Sequence, residues 1–186
     1  VINAFATTGD ERGAAQWLEK MVEDRVSPDV VTFTTVIKSC VRAGNVTSAA
    51  RWLDVMPEEG LEPDVGAYNL VLGAYGQKGD LASAAALFDR MTSSLGPTWP
   101  RAQESFEHLL NACARAGDAA SAEAWLERMR QAGVRPTFRA IALVVQSHAA
   151  KGDAAGVEEW LERLVGSETS PTDDRRSLLK TMQAAM

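Results

Sequence analysis

The sequence predicts an all-α solenoid assembled from short helix pairs. Five Gly-Asp or Gly-Asn turns recur at spacings of 35, 35, 38 and 35: Gly9-Asp10, Gly44-Asn45, Gly79-Asp80, Gly117-Asp118 and Gly152-Asp153. Eight residues after each glycine stands a large apolar residue (Trp17, Trp52, Leu87, Trp125, Trp160), followed four residues on by Met21, Met56, Met91, Met129 or Leu164. A proline closes the unit at Pro28, Pro63, Pro136 and Pro171, where a helix cannot continue.

Each turn reads as a stop and a start. Glycine takes the left-handed conformation that ends a first helix, and the following Asp or Asn caps a second. In the unit Val30–Asp64, Phe33, Val36, Ile37, Cys40 and Val41 form one apolar stripe. Ala49, Trp52, Leu53 and Met56 form another, at i, i+3, i+4, i+7. A small residue recurs at Ala14, Ala49, Ala84 and Ala122, then Val157.

The expected units are 1–29 (most of one repeat), 30–64, 65–102, 103–137 and 138–172, with 173–186 beginning a sixth. The third is longer by three residues, in a loop, Thr92–Arg101, where Trp99 is expected to be exposed. No unit can bury its own stripes, so neighbours must stack into a continuous core. The repeat-position tryptophans are expected in that core. The chain opens at Val1 inside a helical pattern and reads as a fragment of a longer array.

Composition agrees. Hydrophobic residues make up 46% of 186, too many for a disordered chain. No apolar run reaches the 18 residues of a membrane span. Cys40 and Cys113 hold equivalent places in different units, which fits small buried thiols in a reducing compartment better than a disulfide framework.

The strings PDVVTFTTVIKSCVRAGN, PDVGAYNLVLGAYGQKGD and SFEHLLNACARAGD resemble pentatricopeptide repeats, as do the endings WLDVMPEEGLEPD and WLERMRQAGVRPT. Tetratricopeptide repeats differ, with a period of 34. The resemblance spans essentially the whole chain. It implies a right-handed superhelix whose first helices line the concave surface and whose second helices face outward. It also implies single-stranded RNA as partner, in mitochondria or plastids, read at about one base per repeat.

In that family the fifth and last residues of a repeat select the base, and the second wedges beside it. The resemblance therefore implies Thr34 and Asp64 as a guanine-type pair with Val31 as wedge, and Asn69 as a pyrimidine-leaning selector. The other places depart from the pattern. The wedge position of unit 65–102 is Gly66, and the long loop displaces its last residue to Ala102. Unit 103–137 offers Glu104, Glu107 and Thr137, where a carboxylate repels phosphate, and unit 138–172 offers Ala142 and Thr172.

The net charge is −6, unfavourable for nucleic acid when taken as a whole. Its distribution is uneven. First-helix segments carry Lys38, Arg42, Lys78, Arg115, Arg139 and Lys151 against Glu104 and Glu107, and second-helix segments are mostly acidic. Lys38, Arg42, Arg115 and Lys151 are candidate phosphate contacts. Cations in the last turn of a helix also answer its dipole, so both readings stay open.

No nucleophile motif, phosphate-binding glycine loop or metal-ligand spacing is present. His108 and His148 read as surface or semi-buried side chains, His148 in the packing slot of Phe5, Cys40, Tyr75 and Cys113. The expected function is a non-enzymatic, cofactor-free RNA-binding adaptor in RNA processing, stability or translation. The alternative is a protein-binding scaffold in a large organellar assembly, such as a ribosome or membrane complex. Eroded selectors and an acidic outer face favour that alternative.

Overall fold

Every turn closes a helix and opens another. The computed structural model describes residues 2–96 and 102–166, and all regular structure among them is helical. The first helices of the pairs are α1 (Ile2–Thr8), α3 (Val30–Arg42), α5 (Val65–Lys78), α7 (Ala102–Ala116) and α9 (Phe138–Lys151). The second helices are α2 (Glu11–Glu23), α4 (Val46–Glu58), α6 (Leu81–Leu95), α8 (Ala119–Gln131) and α10 (Ala154–Gly166). Trp99, Pro171, Thr172 and the segment 173–186 lie outside the described residues.

The caps act as their chemistry requires. Gly79 and Gly152 end α5 and α9 in the left-handed conformation, with φ of 72° and 78°. Asp29, Asn45, Asp64, Asp80, Asp118 and Thr137 each accept a hydrogen bond from a backbone N–H three residues on. A second set of left-handed residues follows the second helices, at Gly60 and Gly133. The equivalent place after α2 is Arg25, the one non-glycine residue of positive φ among those described (57°).

Packing explains the curvature. The first helices touch one another in series, α1–α3–α5–α7–α9, whereas each second helix packs on its own partner and the next first helix. The first helices thus form a tight inner layer and the second helices splay outside it. Gly73 and Gly76 bring α5 against α7: a Cβ at Gly76 would stand 2.6 Å from the backbone oxygen of His108. Outer helices reach each other through long side chains, Arg90 of α6 to Asp54 of α4 and Arg128 of α8 to Asp89 of α6 (2.8 Å).

The second-helix stripe is buried as expected at Ala49, Leu53 and Met56, and the tryptophans are where it departs. Trp17, Trp52 and Trp125 are only half-buried, and Trp160 alone of the repeat-position tryptophans is buried. The residue after each is the deep one in the first four pairs: Leu18, Leu53, Phe88 and Leu126. The indoles instead lie over the rim of the core. The ring of Trp125 meets Phe88 edge-on, and the guanidinium of Arg128 sits 4.7 Å from its centroid. The first-helix stripe is as expected, with Phe33, Val36, Ile37 and Cys40 buried.

In the packing slot shared by Phe5, Cys40, Tyr75, Cys113 and His148, two of the rings lie against a glycine of the following helix. A Cβ at Gly13 would lie 2.6 Å from Phe5 Cε1, and one at Gly156 would lie 2.1 Å from His148 Nδ1.

His148 is buried and clamped. Its Nδ1 lies 2.8 Å from Asp153 Oδ2 and its Nε2 lies 3.1 Å from Glu123 Oε1. Trp160 Nε1 donates to that same glutamate oxygen at 2.8 Å, which ties α8 to α9 and α10.

Gly76→Ala and Gly156→Ala are each expected to lower stability by about 1–3 kcal/mol through overpacking. Arg25→Gly should move the other way, by about 1 kcal/mol, by relieving a left-handed side-chain residue. Urea midpoints of the three variants check both signs.

Candidate nucleic-acid interface

The inner layer presents the first helices side by side, their last turns along one edge. Packed helices lie about 8–10 Å apart, so equivalent residues form a row. Arg42, Lys78, Arg115 and Lys151 occupy those last turns, with Lys38 one turn earlier on α3. All five are exposed, and none forms an ion pair among the described residues. The outer helices are mixed: Arg12, Lys20 and Arg51 also form no ion pair among the described residues. Arg90, Arg128, Arg130 and Arg163 are each held by a carboxylate. What sets the inner cations apart is their alignment at the ends of neighbouring helices.

The expected base-facing residues are placed differently from one another. Val31 is 71% exposed at the start of α3 and free to wedge. Thr34 is half-buried and its hydroxyl donates to the Val30 carbonyl at 2.7 Å. Asp64 caps α5, its Oδ1 accepting from the Ala67 N–H at 2.8 Å. No hydrogen bond joins Thr34 to Asp64 among the described residues. Asn69 is only 4% exposed, and its Oδ1 accepts from the Ser105 hydroxyl of α7 at 2.7 Å. Its Nδ2 is buried without a partner.

Glu107 is not the bare carboxylate the sequence suggested. It accepts from the Thr137 hydroxyl at 2.7 Å and faces Arg139 Nε at 3.3 Å. The fifth and last residues of unit 103–137 are thus in contact, and Arg139 of the next unit balances the charge. A phosphate chain passing here meets a neutralised group.

Next to that pair opens a cleft of about 370 Å³ between α7 and α9, lined by Asn111, Phe138, Arg139, Ala142, Leu143 and Gln146. Its amides are not among the residues singled out from the sequence, and Lys78 was counted in the basic first-helix face without being named a phosphate contact. The available signal was register: Asn111 and Gln146 hold the same place in their units as Lys38 and Gly73. No cluster of three or more histidine, cysteine or acidic side chains suited to a metal occurs among the described residues. No described helix is long and apolar enough to cross a membrane.

The ionisable groups behave as structural parts. Hydrogen bonds from the Thr32 hydroxyl and N–H hold the Asp29 carboxyl below its usual range, and those of Ser121 do the same for Asp118. The Gly156 N–H and then the His148 ring lower Asp153. Burial first, then nearby Glu11 or Asp118, pushes the thiols up to about 11 for Cys40 and about 12 for Cys113.

Comparison with known proteins decides the family. The profile described as "Pentatricopeptide repeat domain" matches residues 1–42, 17–78 and 104–141, and one described as "PPR repeat" matches residues 66–94. The chain belongs to the pentatricopeptide repeat family. No curated protein sequence matches it.

Among solved structures, the pentatricopeptide array is similar to the PPR domain of Arabidopsis thaliana protein-only RNase P 1 in complex with tRNA. That pair shows 16% identity and a TM-score of 0.74, covering 98% of this chain and 95% of that one. It is similar also to nuclear proteinaceous RNase P 2 from the same plant, with 17% identity and a TM-score of 0.76, over 96% of this chain and 40% of that one. Pentatricopeptide repeat protein PPR10 from maize matches with 20% identity and a TM-score of 0.56, over 99% of this chain and 32% of that one. At these identities the likeness establishes the fold: an all-α solenoid of helix pairs.

Both thiols should resist a thiol reagent at pH 8, where a group titrating near 11 is thiolate to a fraction on the order of 0.001. Unfolding in denaturant should release both. The folded-state values lie above the unfolded ones, so folding favours the protonated thiols. Their contribution to stability is complete below about pH 8.5 and declines as pH rises towards 11. Fast labelling of the native protein at pH 8 would contradict this placement.

Proposed function

We propose that the chain binds single-stranded RNA along its inner-helix layer and acts as an adaptor in RNA processing, stability or translation. The observation that carries this reading is the row Lys38, Arg42, Lys78, Arg115 and Lys151, exposed, without ion pairs and aligned on neighbouring inner helices. Phosphate contacts position a strand, and the exposed Val31 together with Thr34 and Asp64 lies on the same inner layer to meet a base. Binding of this kind needs no catalytic group and no cofactor from the chain. A mitochondrial or plastid location is part of the proposal and rests on family membership.

A folded RNA is a second reading, favoured by one comparison. The array superposes better on the PPR domain solved with tRNA (TM-score 0.74) than on PPR10 solved with an 18-nt RNA element (0.55). Titrating the protein with a tRNA and with an unstructured oligonucleotide separates the two. A protein-scaffold role would show instead as a stoichiometric complex that survives ribonuclease.

For a single strand, log affinity against log salt falls with a slope of about 0.7 per phosphate neutralised. Changing the five cations to glutamine should flatten that slope by about 0.7 for each that contacts phosphate, and weaken binding at low salt. An unchanged slope, or no RNA binding by the unaltered protein at low salt, would refute the interface.

A further inference from the structure

The joints between units are not alike. Between α4 and α6 and between α6 and α8 the links are arginine–carboxylate pairs, Arg90 to Asp54 and Arg128 to Asp89. A guanidinium does not lose its proton, so those links persist as the pH rises. The next joint has no such pair among the described residues. Arg163 of α10 turns to Glu159 on its own helix, and Arg130 of α8 turns to Glu127 on its own. What spans α8 to α10 instead is the cluster of Glu123, His148, Asp153 and Trp160. We infer that this cluster is a pH-sensitive joint: with a proton on each ring nitrogen, His148 holds the unit beginning at Phe138 against the one before it, and loss of one proton releases it.

The ring is 7% exposed, and each of its nitrogens faces a carboxylate oxygen, Nδ1 at 2.8 Å from Asp153 and Nε2 at 3.1 Å from Glu123. A neutral imidazole has one N–H and one lone pair. It can donate to only one of these carboxylates and turns its lone pair on the other. A doubly protonated ring donates to both. Glu123 is fixed from a third side by Trp160 Nε1, which donates to the same oxygen at 2.8 Å. The remaining elements packed on α9 bring the ring no further ion pair among the described residues: α7 forms none with it, and α10 turns Gly156 to it. The Gly156 N–H first, then the His148 ring, hold the Asp153 carboxyl below its usual range, with a smaller pull from Lys151. Lys151 also acts on Asp118 in the turn before α8.

Comparison between units separates the joint from ordinary packing. Glu123 stands where the three preceding units have Ala15, Ala50 and Ala85, so the carboxylate occurs opposite the histidine and not before it. The first unit holds the uncharged counterpart. There Phe5 fills the slot against Gly13, as His148 does against Gly156. Asp10 accepts from the Gly13 N–H as Asp153 accepts from the Gly156 N–H. The fold thus accepts a phenyl ring in this setting, and the histidine with its second carboxylate adds dependence on a proton.

Folding brings two carboxylates to the ring, and the unfolded chain brings none. Burial opposes the charge, and two charge-assisted hydrogen bonds outweigh that opposition. The folded state therefore favours the second proton, and the joint weakens as the pH rises. Lys151, which closes the cation row, stands three residues from the ring on the same helix, so release loosens the end of the inner layer. The joint acts on the array itself, whatever ligand the array binds.

The test applies nitrogen NMR of the histidine rings, amide hydrogen exchange and urea unfolding to the whole chain from about pH 5 to about pH 8, the range over which histidine changes charge. His148 is expected to carry protons on both nitrogens at the acid end and to lose one on titration. Amides of α10 should then open more readily, after correction for the intrinsic pH dependence of exchange. His148→Phe, which copies Phe5, should lose that dependence. The ratio of its unfolding constant to that of the unaltered protein should fall by about tenfold between the acid and alkaline ends, the size of one hydrogen bond to a charged group. Glu123→Gln keeps an acceptor oxygen for Trp160 and removes one charge, so it should move the ring titration to lower pH.

A His148 ring that is neutral across the whole range overturns the joint. So does a pH profile of stability shared by the unaltered protein and His148→Phe, or a ring titration that leaves exchange in α10 unchanged. An unmoved titration in Glu123→Gln counts against it equally. Neither the ring spectrum nor Glu123→Gln depends on His148→Phe folding.

Discussion

The close approach of the inner helices sets everything else in this molecule. Gly73 and Gly76 let α5 meet α7 nearly backbone to backbone, and a single methyl group at Gly76 would collide with the main chain of His108. The outer helices have no such contact. They are joined by arginine–carboxylate links such as Arg128 to Asp89, long enough to span a wider gap. A tight inner layer under a loose outer one must curve, and the curve makes the inner helices the concave side. Exposed pairs of this sort contribute little energy, commonly below about 1 kcal/mol. The ladder spaces the outer layer, and the apolar core holds it.

The same asymmetry sorts the charges. Four arginines of the outer helices, Arg90, Arg128, Arg130 and Arg163, are taken up by the ladder or by carboxylates on their own helix. Cations at the ends of the inner helices have no carboxylate within ion-pair reach among the described residues. They satisfy the helix dipoles and remain available to a polyanion. A protein of net charge −6 can therefore present a locally basic surface, because its acidic residues lie mostly on the second helices and their loops. Ligand attraction here is a matter of placement, and total charge is a poor guide to it.

How much of this was legible in the sequence depends on the range of the interaction concerned. The turns, caps and first-helix stripe follow from residues within four positions of one another, and period alone exposes them. The half-burial of Trp17, Trp52 and Trp125 was hidden. Tryptophan is the largest apolar residue and draws the eye, yet its bulk suits the rim, where Arg128 can cover the indole, and Leu126 fits the depth. Asn69 and Glu107 were harder still. Their partners, Ser105 and Thr137, lie 36 and 30 residues away, and no local pattern announces a hydrogen bond across a unit.

The central claim is that RNA lies on the inner layer along the edge formed by the last turns. Amide hydrogen exchange with and without a bound oligonucleotide tests it most directly. Protection should concentrate at the C-terminal turns of α3, α5, α7 and α9, around Arg42, Lys78, Arg115 and Lys151, with α4, α6 and α8 unchanged. Protection confined to the outer helices, with the inner turns exchanging as in the free protein, would contradict the account.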